Sequence, residues 1–444
     1  MALRVLGFML LVTAQTAVAQ LTPEQVTTLE TVTSVAISPD GKHVAYTLAR
    51  PRAPEEDTLA GLRGFSELYV AETIGDHPNA IVQRPNSAGS PQWSPDGSRL
   101  AFLYRGQVHF VPVTGGEPQA ITSVPTGVTS YHWSPDGQSI AYTTRVAEAP
   151  GAAERRRRGD DVDVASQRNR PAQLWIQPVA GGQARSLTPA TSTVRDFAWA
   201  PDGRTLAVQI TDKSDADADL MYRKLYIMPV AGGQTLVPTT GKLGPMSWSP
   251  DGSRLAFIGA TSFNDPLAQS LFVVARAGGT PQNITPNYEG SVMIVGWQDA
   301  RTVRFVAVEG TRTALNTIPA TGGAINRVVG HGAEVFTAVS FARDGVTFAV
   351  PASTARHPNE VFIGSTRDRR LRRLTQHNAW LNNAQLGAQE TFEWTSRDGW
   401  KMQGVVIRPV GAPQGARAPL AVLPHGGPEG ISMDGWSTNS LYPA

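Results

Sequence analysis

Between residues 33 and 385 the chain is a succession of short stretches in which apolar and polar residues alternate, each cut off by Gly, Pro, Asp or Asn. A period of two marks half-buried β-strands. The stretches recur together with their punctuation. Ile37-Ser38-Pro39-Asp40-Gly41 leads into HVAYTL, and the same phrase returns at Trp93-Ser94-Pro95-Asp96-Gly97, Trp133-Ser134-Pro135-Asp136-Gly137, Trp199-Ala200-Pro201-Asp202-Gly203 and Trp248-Ser249-Pro250-Asp251-Gly252. Worn copies follow at Trp297-Gln298-Asp299 and Phe341-Ala342-Arg343-Asp344-Gly345. The aspartates lie 56, 40, 66, 49, 48 and 45 residues apart. A second marker sits downstream of most copies, at Gly115-Gly116, Gly181-Gly182, Gly232-Gly233, Gly278-Gly279 and Gly322-Gly323.

In the repeated phrase Pro presets φ, Asp accepts from the backbone and Gly takes the left-handed position of a tight turn. The Gly-Gly marker closes a second hairpin. Each unit is therefore four strands in two hairpins, and about 45 residues per such unit is the period of a propeller blade. Seven copies predict an all-β, seven-bladed β-propeller over 33–385. The Trp at the head of each turn is expected to pack between neighbouring blades rather than to stack on a ligand. One Asp per turn, without Asp-x-Asp spacing, is expected to be structural rather than a calcium ligand.

Upstream, Arg4 precedes an apolar run at 5–12 (VLGFMLLV), and Ala17-Val18-Ala19 supplies the small residues of a processing site. This predicts a signal peptide over 1–19, cut after Ala19, with export to the periplasm or the medium. The run is shorter than the roughly 20 apolar residues a bilayer span needs, so no membrane span is expected. Thr22, Pro23 and Gln25 have the order of a capping box and predict a lead-in helix within 20–32.

The sequence has 43 Gly, 33 Pro and no Cys in 444 residues. Without Cys there are no disulfides, thiolate metal sites or cysteine nucleophile. With 39 basic and 37 acidic residues the net charge is +2, too little for a nucleic-acid or anionic-membrane surface. The longer repeat intervals mark insertions. Residues 147–171 contain Arg155-Arg156-Arg157-Arg158, followed by Asp160, Asp161 and Asp163. The acids neutralise the run, which predicts a solvated loop whose one candidate ligand is a substrate at the propeller mouth. A second insertion carries Asp212, Asp215, Asp217 and Asp219 without the Gly and Glu of a calcium loop. No metal or cofactor is expected.

From Glu390 the period changes. Residues 391–395 (TFEWT) read as a strand, Arg397-Asp398-Gly399 as a turn and 401–408 (KMQGVVIR) as the partner strand. Residues 419–424 (PLAVLP) read as a buried apolar strand running into His425-Gly426-Gly427-Pro428. Glycines directly after a strand let backbone N–H groups turn toward a substrate oxygen.

A propeller with Ser-Pro-Asp-Gly turns followed by these tail motifs resembles the prolyl oligopeptidase family of serine peptidases, and its acylaminoacyl-peptidase and dipeptidyl-peptidase-like branch most. The resemblance implies that the propeller caps an α/β-hydrolase domain, admits short peptides, and is followed at 390–444 by the N-terminal piece of that domain. It also implies that His425, Gly426, Gly427 and Pro428 form the oxyanion loop, with Gly426 and Gly427 as backbone donors and His425 shaping the loop. The family's nucleophile lies in Gly-x-Ser-x-Gly and is followed by Asp and His. No Ser here has that context; the nearest approach is Gly430-Ile431-Ser432-Met433-Asp434. The triad is therefore expected beyond Ala444, and the chain as given is expected to be inactive unless a longer or second chain completes the domain. Val405, Val406, Ile407, Leu420, Val422 and Leu423 are then expected to lack a complete core. The alternative is a non-catalytic periplasmic propeller similar to the TolB type, binding peptides or protein partners, in which 390–430 would have no role.

Overall fold

The computed structural model describes residues 21–51, 64–75, 77–148, 150–160, 170–265, 268–411, 413, 415, 417–426 and 430–437. The predicted signal peptide with its cleavage position, Asp161 and Asp163, and Gly427 and Pro428 lie outside the described residues.

Seven antiparallel sheets follow one another along the chain, over 31–82, 88–120, 130–186, 193–237, 243–283, 291–330 and 335–373. The first six are four-stranded meanders in chain order. In the seventh the first strand is split into Val335–Phe336 and Ser340–Phe341, both paired with Thr347–Thr354. These are seven propeller blades, bounded by Thr31 and Arg373 and so slightly displaced from the predicted 33–385. The lead-in helix is Pro23–Thr27, closed by the reciprocal Thr22 and Gln25 bonds of a capping box.

First strands of neighbouring blades touch one another and so form the inner wall of the ring. The core lies between blades rather than within them. Ala36, Ala45 and Leu68 of blade 1, for example, pack with Trp93, Leu100 and Phe102 of blade 2. The Trp of the repeat bridges that seam as expected: indole N–H groups of Trp93, Trp248 and Trp297 donate to the Ala36, Ala198 and Ser247 carbonyls of the preceding blade at 2.9, 3.1 and 2.9 Å. Trp133 and Trp199 depart from this, their buried indole N–H groups having no partner.

Alternating strand direction sorts the connections onto two faces. Ser-Pro-Asp-Gly and Gly-Gly turns lie on one, the turn face. Links between second and third strands, and from blade to blade, lie on the other, the loop face. All the long second-to-third links are therefore on the loop face: 51–64, 146–171, 212–223 and 260–269 in blades 1, 3, 4 and 5. The corresponding links of blades 2, 6 and 7 are tight, at 105–106, 310–311 and 355–356.

The tail differs from expectation in one element. Gln389–Thr395 and Lys401–Ile407 pair as the predicted hairpin. Residues 419–424 form no strand, and Leu420 and Val422 are 81% and 73% exposed. The described residues thus make an all-β propeller plus a hairpin, without a recognisable α/β-hydrolase piece. The physical reason is that a parallel-type strand needs neighbours along both edges and helices over both faces, and the described residues place neither beside 419–424.

Candidate functional site

The tail hairpin is seated on the loop face of blades 6 and 7, where the tight links leave room. One residue carries most of this seat. Asp434 is buried, forms an ion pair with Arg312, and accepts from the Gln389 side chain at 2.8 Å. Its own amide donates to the Thr311 carbonyl at 2.8 Å. Beside it the Thr311 and Thr391 hydroxyls meet at 2.7 Å, and the Trp436 amide donates to the Ser353 hydroxyl at 3.2 Å. Gly435 is pressed against blade 7, since a β-carbon there would lie 2.7 Å from the Ser353 hydroxyl and 3.1 Å from the Val335 side chain.

Strand alternation puts Gln389, Thr391, Val405 and Gln403 on the seated side of the hairpin. Phe392, Trp394, Met402 and Val406 lie on the other side. Phe392 and Trp394 stack there at 5.6 Å, Trp394 covers Gly404, and both aromatics are half exposed. With Met402 also exposed, the hairpin presents an apolar surface away from the propeller, and Leu420, Val422 and Leu423 are exposed in the segment that follows.

Of the predicted oxyanion loop, His425 and Gly426 are described, and both are exposed. Gly430 lies close against both: a β-carbon there would come within 2.5 Å of the Gly426 carbonyl and 3.0 Å of the His425 ring. Ser432 is exposed on the following segment.

Across the channel mouth from the tail, the insertions of blades 3 to 5 form a wall. Contrary to the predicted loop, the arginine run enters a short helix, Ala152–Arg157, whose Arg155 and neighbouring Arg158 are exposed. Its base is held by Arg170, which pairs with Glu148 at 2.8 Å and whose amide donates to the Ser214 hydroxyl of the next insertion at 2.8 Å. The acids of that insertion are structural. Asp215 caps the helix Ala216–Met221, Asp219 pairs with Arg223 at 2.7 Å and Asp212 pairs with Lys224 at 2.6 Å. Tyr222 meets Phe263 of blade 5 at 5.9 Å and extends the wall.

Two polar groupings on this face are not evident from the repeat pattern. In blade 6, Glu309 accepts from the Tyr288 hydroxyl at 2.6 Å and the Asn316 amide at 3.0 Å, and also pairs with Arg327 and His331. Burial pushes its carboxyl up, but these donors outweigh it and hold the group below its usual value. Asp434 is the other. It stands at one tail position outside any period, so only its burial reveals it.

No family model matches the chain. Dipeptidyl-peptidase 5 of Arthroderma otae is 25% identical over 284 residues, covering 59% of this chain and 38% of that protein. Dipeptidyl-peptidase 5 of Porphyromonas endodontalis is 26% identical over 97 residues, covering 21% of this chain and 13% of that one. The matched segments thus span well under half of these relatives. Among solved structures, Pyrococcus horikoshii acylaminoacyl peptidase superposes with a TM-score of 0.72 at 15% identity, over 94% of this chain and 64% of its own. The β-propeller domain of the Trilobed protease from Pyrococcus furiosus, described as having an open velcro topology, gives 0.56 at 15% identity over 79% and 99%. A prolyl endopeptidase gives 0.62 at 16% over 90% and 56%. These structural likenesses are of fold, a seven-bladed propeller of the kind found in these peptidases, and together with the dipeptidyl-peptidase relatives they support a propeller domain of the prolyl oligopeptidase type.

Proposed function

We propose that the chain is the propeller portion of an exported serine peptidase that hydrolyses short peptides, with the propeller limiting which substrates reach the catalytic centre. The observation that carries this is the tail. A hairpin fixed through Asp434 to the loop face, with an apolar surface turned outward beside the channel mouth, has no use in a free-standing propeller but is suited to the first strands of a domain resting on that face. Relatives named as dipeptidyl-peptidases, and a structural neighbour solved with a peptidyl chloromethyl ketone, support the peptide substrate class. The Ala17-Val18-Ala19 leader supports export.

In this reading the 444 residues do not themselves cleave peptides. None of their serines lies in Gly-x-Ser-x-Gly, and a site without its triad keeps only about 10³ to 10⁴-fold acceleration over water. The test is fluorophosphonate labelling of the species isolated from its own cells, followed by peptide mapping. The expected result is a labelled serine outside these 444 residues, in a species that also contains residues 31–407. Label on a serine within the 444 residues overturns the predicted inactivity. Absence of label from every species containing them favours the binding-propeller alternative.

A further inference from the structure

Phe263 stands in the loop-face link between the second and third strands of blade 5, where the turn itself asks for no ring. The link is tightened by Asp265, whose carboxylate accepts from the Ser262 amide and hydroxyl, each at 2.9 Å, and from the Thr261 hydroxyl. The Phe263 ring it carries is nearly half exposed. Tyr222 of the blade 4 insertion meets that ring, with centroids 5.9 Å and planes 33° apart, and is more than half exposed itself. Its backbone is fixed as firmly. The Tyr222 amide donates to the Ala218 carbonyl of the helix Ala216–Met221, and the Arg223 amide donates to the Gly241 carbonyl at 2.9 Å. Gly241 is pressed on the same turn, since a β-carbon there would lie 2.5 Å from the Met221 carbonyl. Two insertions from neighbouring blades thus hold an aromatic pair out to solvent on the loop face.

Beside the pair lies a lysine. Lys242, in the link from blade 4 to blade 5, is only 7% exposed, and its amino nitrogen stands 5.8 Å from the centre of the Phe263 ring. One of its N–H groups donates to the Asp265 carbonyl, and the other two have no partner among the described residues. None of the acids in the two insertions answers it. Asp265 is held by Thr261 and Ser262, Asp212 pairs with Lys224, Asp219 pairs with Arg223 and Asp215 caps its helix, while Asp217 forms no ion pair among the described residues. A nearly buried ammonium without an anionic partner is costly to keep, and this one borders an exposed apolar surface.

We propose that Lys242, Phe263 and Tyr222 form a binding point for the carboxyl terminus of a short peptide whose last residue is apolar. The carboxylate accepts from the uncommitted Lys242 donors in a charge-assisted bond, and the last side chain packs against the exposed rings. The two contacts select in combination. A carboxylate without an apolar side chain forgoes the rings, and an apolar side chain without a carboxylate leaves the ammonium unanswered. Aromatic rings alone also attract cations, so it is Lys242 that sets the sign of the ligand. Held by its last residue, a peptide has a fixed length of chain left to reach a catalytic centre resting on the loop face, and the site then sorts substrates by length as well as by ending. This sorting rests on the peptidase reading; the binding does not.

Titration calorimetry on the full 444-residue chain at pH 7.5 tests this with Ala-Ala-Phe, its carboxyl-terminal amide, and Ala-Ala-Gly. Ala-Ala-Phe is expected to bind at least ten-fold more tightly than either of the others. Lys242→Met keeps the apolar stem and removes the charge; it is expected to bring the free acid down to the level of the amide and to leave the amide unchanged. Phe263→Ala, at an exposed position, is expected to weaken Ala-Ala-Phe at least ten-fold. Amide binding as tightly as free acid, a preference for the acid that survives Lys242→Met, or no binding of Ala-Ala-Phe would each overturn the proposal. Should Lys242→Met fail to fold, the amide comparison on the wild-type chain and Phe263→Ala decide. Fluorophosphonate labelling decides the peptidase reading separately, so a failure here leaves that reading standing.

Discussion

Asp96 accepts from the Ser94 hydroxyl at 2.6 Å and the Ser98 amide at 3.0 Å, while the Ser94 oxygen accepts from the Arg99 amide at 3.0 Å. The same triangle recurs around Ser38, Ser134 and Ser249, and the Ser is buried each time. Turn propensity accounts for Pro, Asp and Gly in the repeated phrase but not for Ser, whose role depends on the first amide of the next strand. Ser249→Ala is expected to lower the unfolding free energy by about 1–3 kcal/mol, read from a urea melt; no change would show that the triangle is dispensable. Blade 4 has Ala200 at this position, and there Asp202 pairs with Arg276 instead. The triangles also set an acid limit. Ser hydroxyls hold Asp40, Asp96, Asp136 and Asp251 below the ordinary 3.8, Asp96 and Asp251 at about 2. Groups depressed in this way stabilise the fold above the unfolded value and cease to do so as pH falls through the folded one. Burial likewise depresses His109, His132, His357 and His377 below 6.5, so the unfolded chain takes those protons first and stability falls as pH drops. Asp196 and Glu30, raised by burial, act oppositely: their contribution is full at low pH and is lost as pH rises through their folded values. With four groups against two, the melting temperature is expected to fall between pH 6.5 and 4, and again below 3.8. A flat profile from pH 7 to 4 would contradict the histidine part.

At the scale of elements, what was legible in sequence was what is held locally. Each blade hairpin carries its own turn chemistry, and the tail hairpin is bounded by Arg397-Asp398-Gly399, so both follow from neighbours in the chain. Residues 419–424 have strand composition but no partner among the described residues, and composition cannot supply hydrogen bonds to an edge. The arginine run forms a helix rather than a loop because Ala, Glu and Arg are all good helix formers, a local signal that its charge obscured; the pairing of Arg170 with Glu148 that ties the ends of the insertion together, 22 positions apart, is announced by no period. The seating of the tail was invisible for the same reason, resting on Asp434 against Arg312 and Thr311. Asp434→Ala is expected to loosen the tail without disturbing the ring. Loss of a charge-assisted contact of about 1.5–3 kcal/mol corresponds to at least ten-fold faster amide exchange over Gln389–Ile407, with the strands of blade 6 unchanged. Equal acceleration in blade 6 would mean that Asp434 supports the propeller rather than the tail.

Seven repeats were enough to count the blades, yet they did not reveal how the ring shuts, because the residues that shut it lie outside the repeat. Each sheet is built from consecutive strands, so among the described residues no strand from one end of the chain pairs into the blade at the other end. One side-chain amide, one loop amide and apolar packing do this instead. The Asn378 amide donates to the Glu30 carbonyl at 2.7 Å and its oxygen accepts from the Glu30 amide at 3.0 Å, standing in for one rung of a strand ladder. The Arg343 amide donates to Pro39 at 2.9 Å, and Val32, Tyr46 and Leu48 pack with Ala349, Val361 and Leu374 across the seam. Charges crowd the same place. Arg50 pairs with Glu30 and Glu67, and the fully buried Glu360 is held by Arg373, the Thr375 hydroxyl at 2.6 Å and the His377 amide at 2.9 Å. This satisfaction is incomplete, since the Tyr46 hydroxyl is buried among these groups without a partner. Two substitutions should therefore diverge. Asn378→Ala strands the amide and carbonyl of Glu30 and is expected to cost about 1–3 kcal/mol; Tyr46→Phe removes an unpartnered hydroxyl and is expected to be neutral or stabilising. If the seam is the weakest part of the ring, Asn378→Ala will accelerate amide exchange in Thr31–Ile37 and Thr347–Thr354 while leaving Thr205–Thr211 in blade 4 protected. Uniform acceleration around all seven blades would instead show that the ring opens only by unfolding as a whole, with closure shared among every seam.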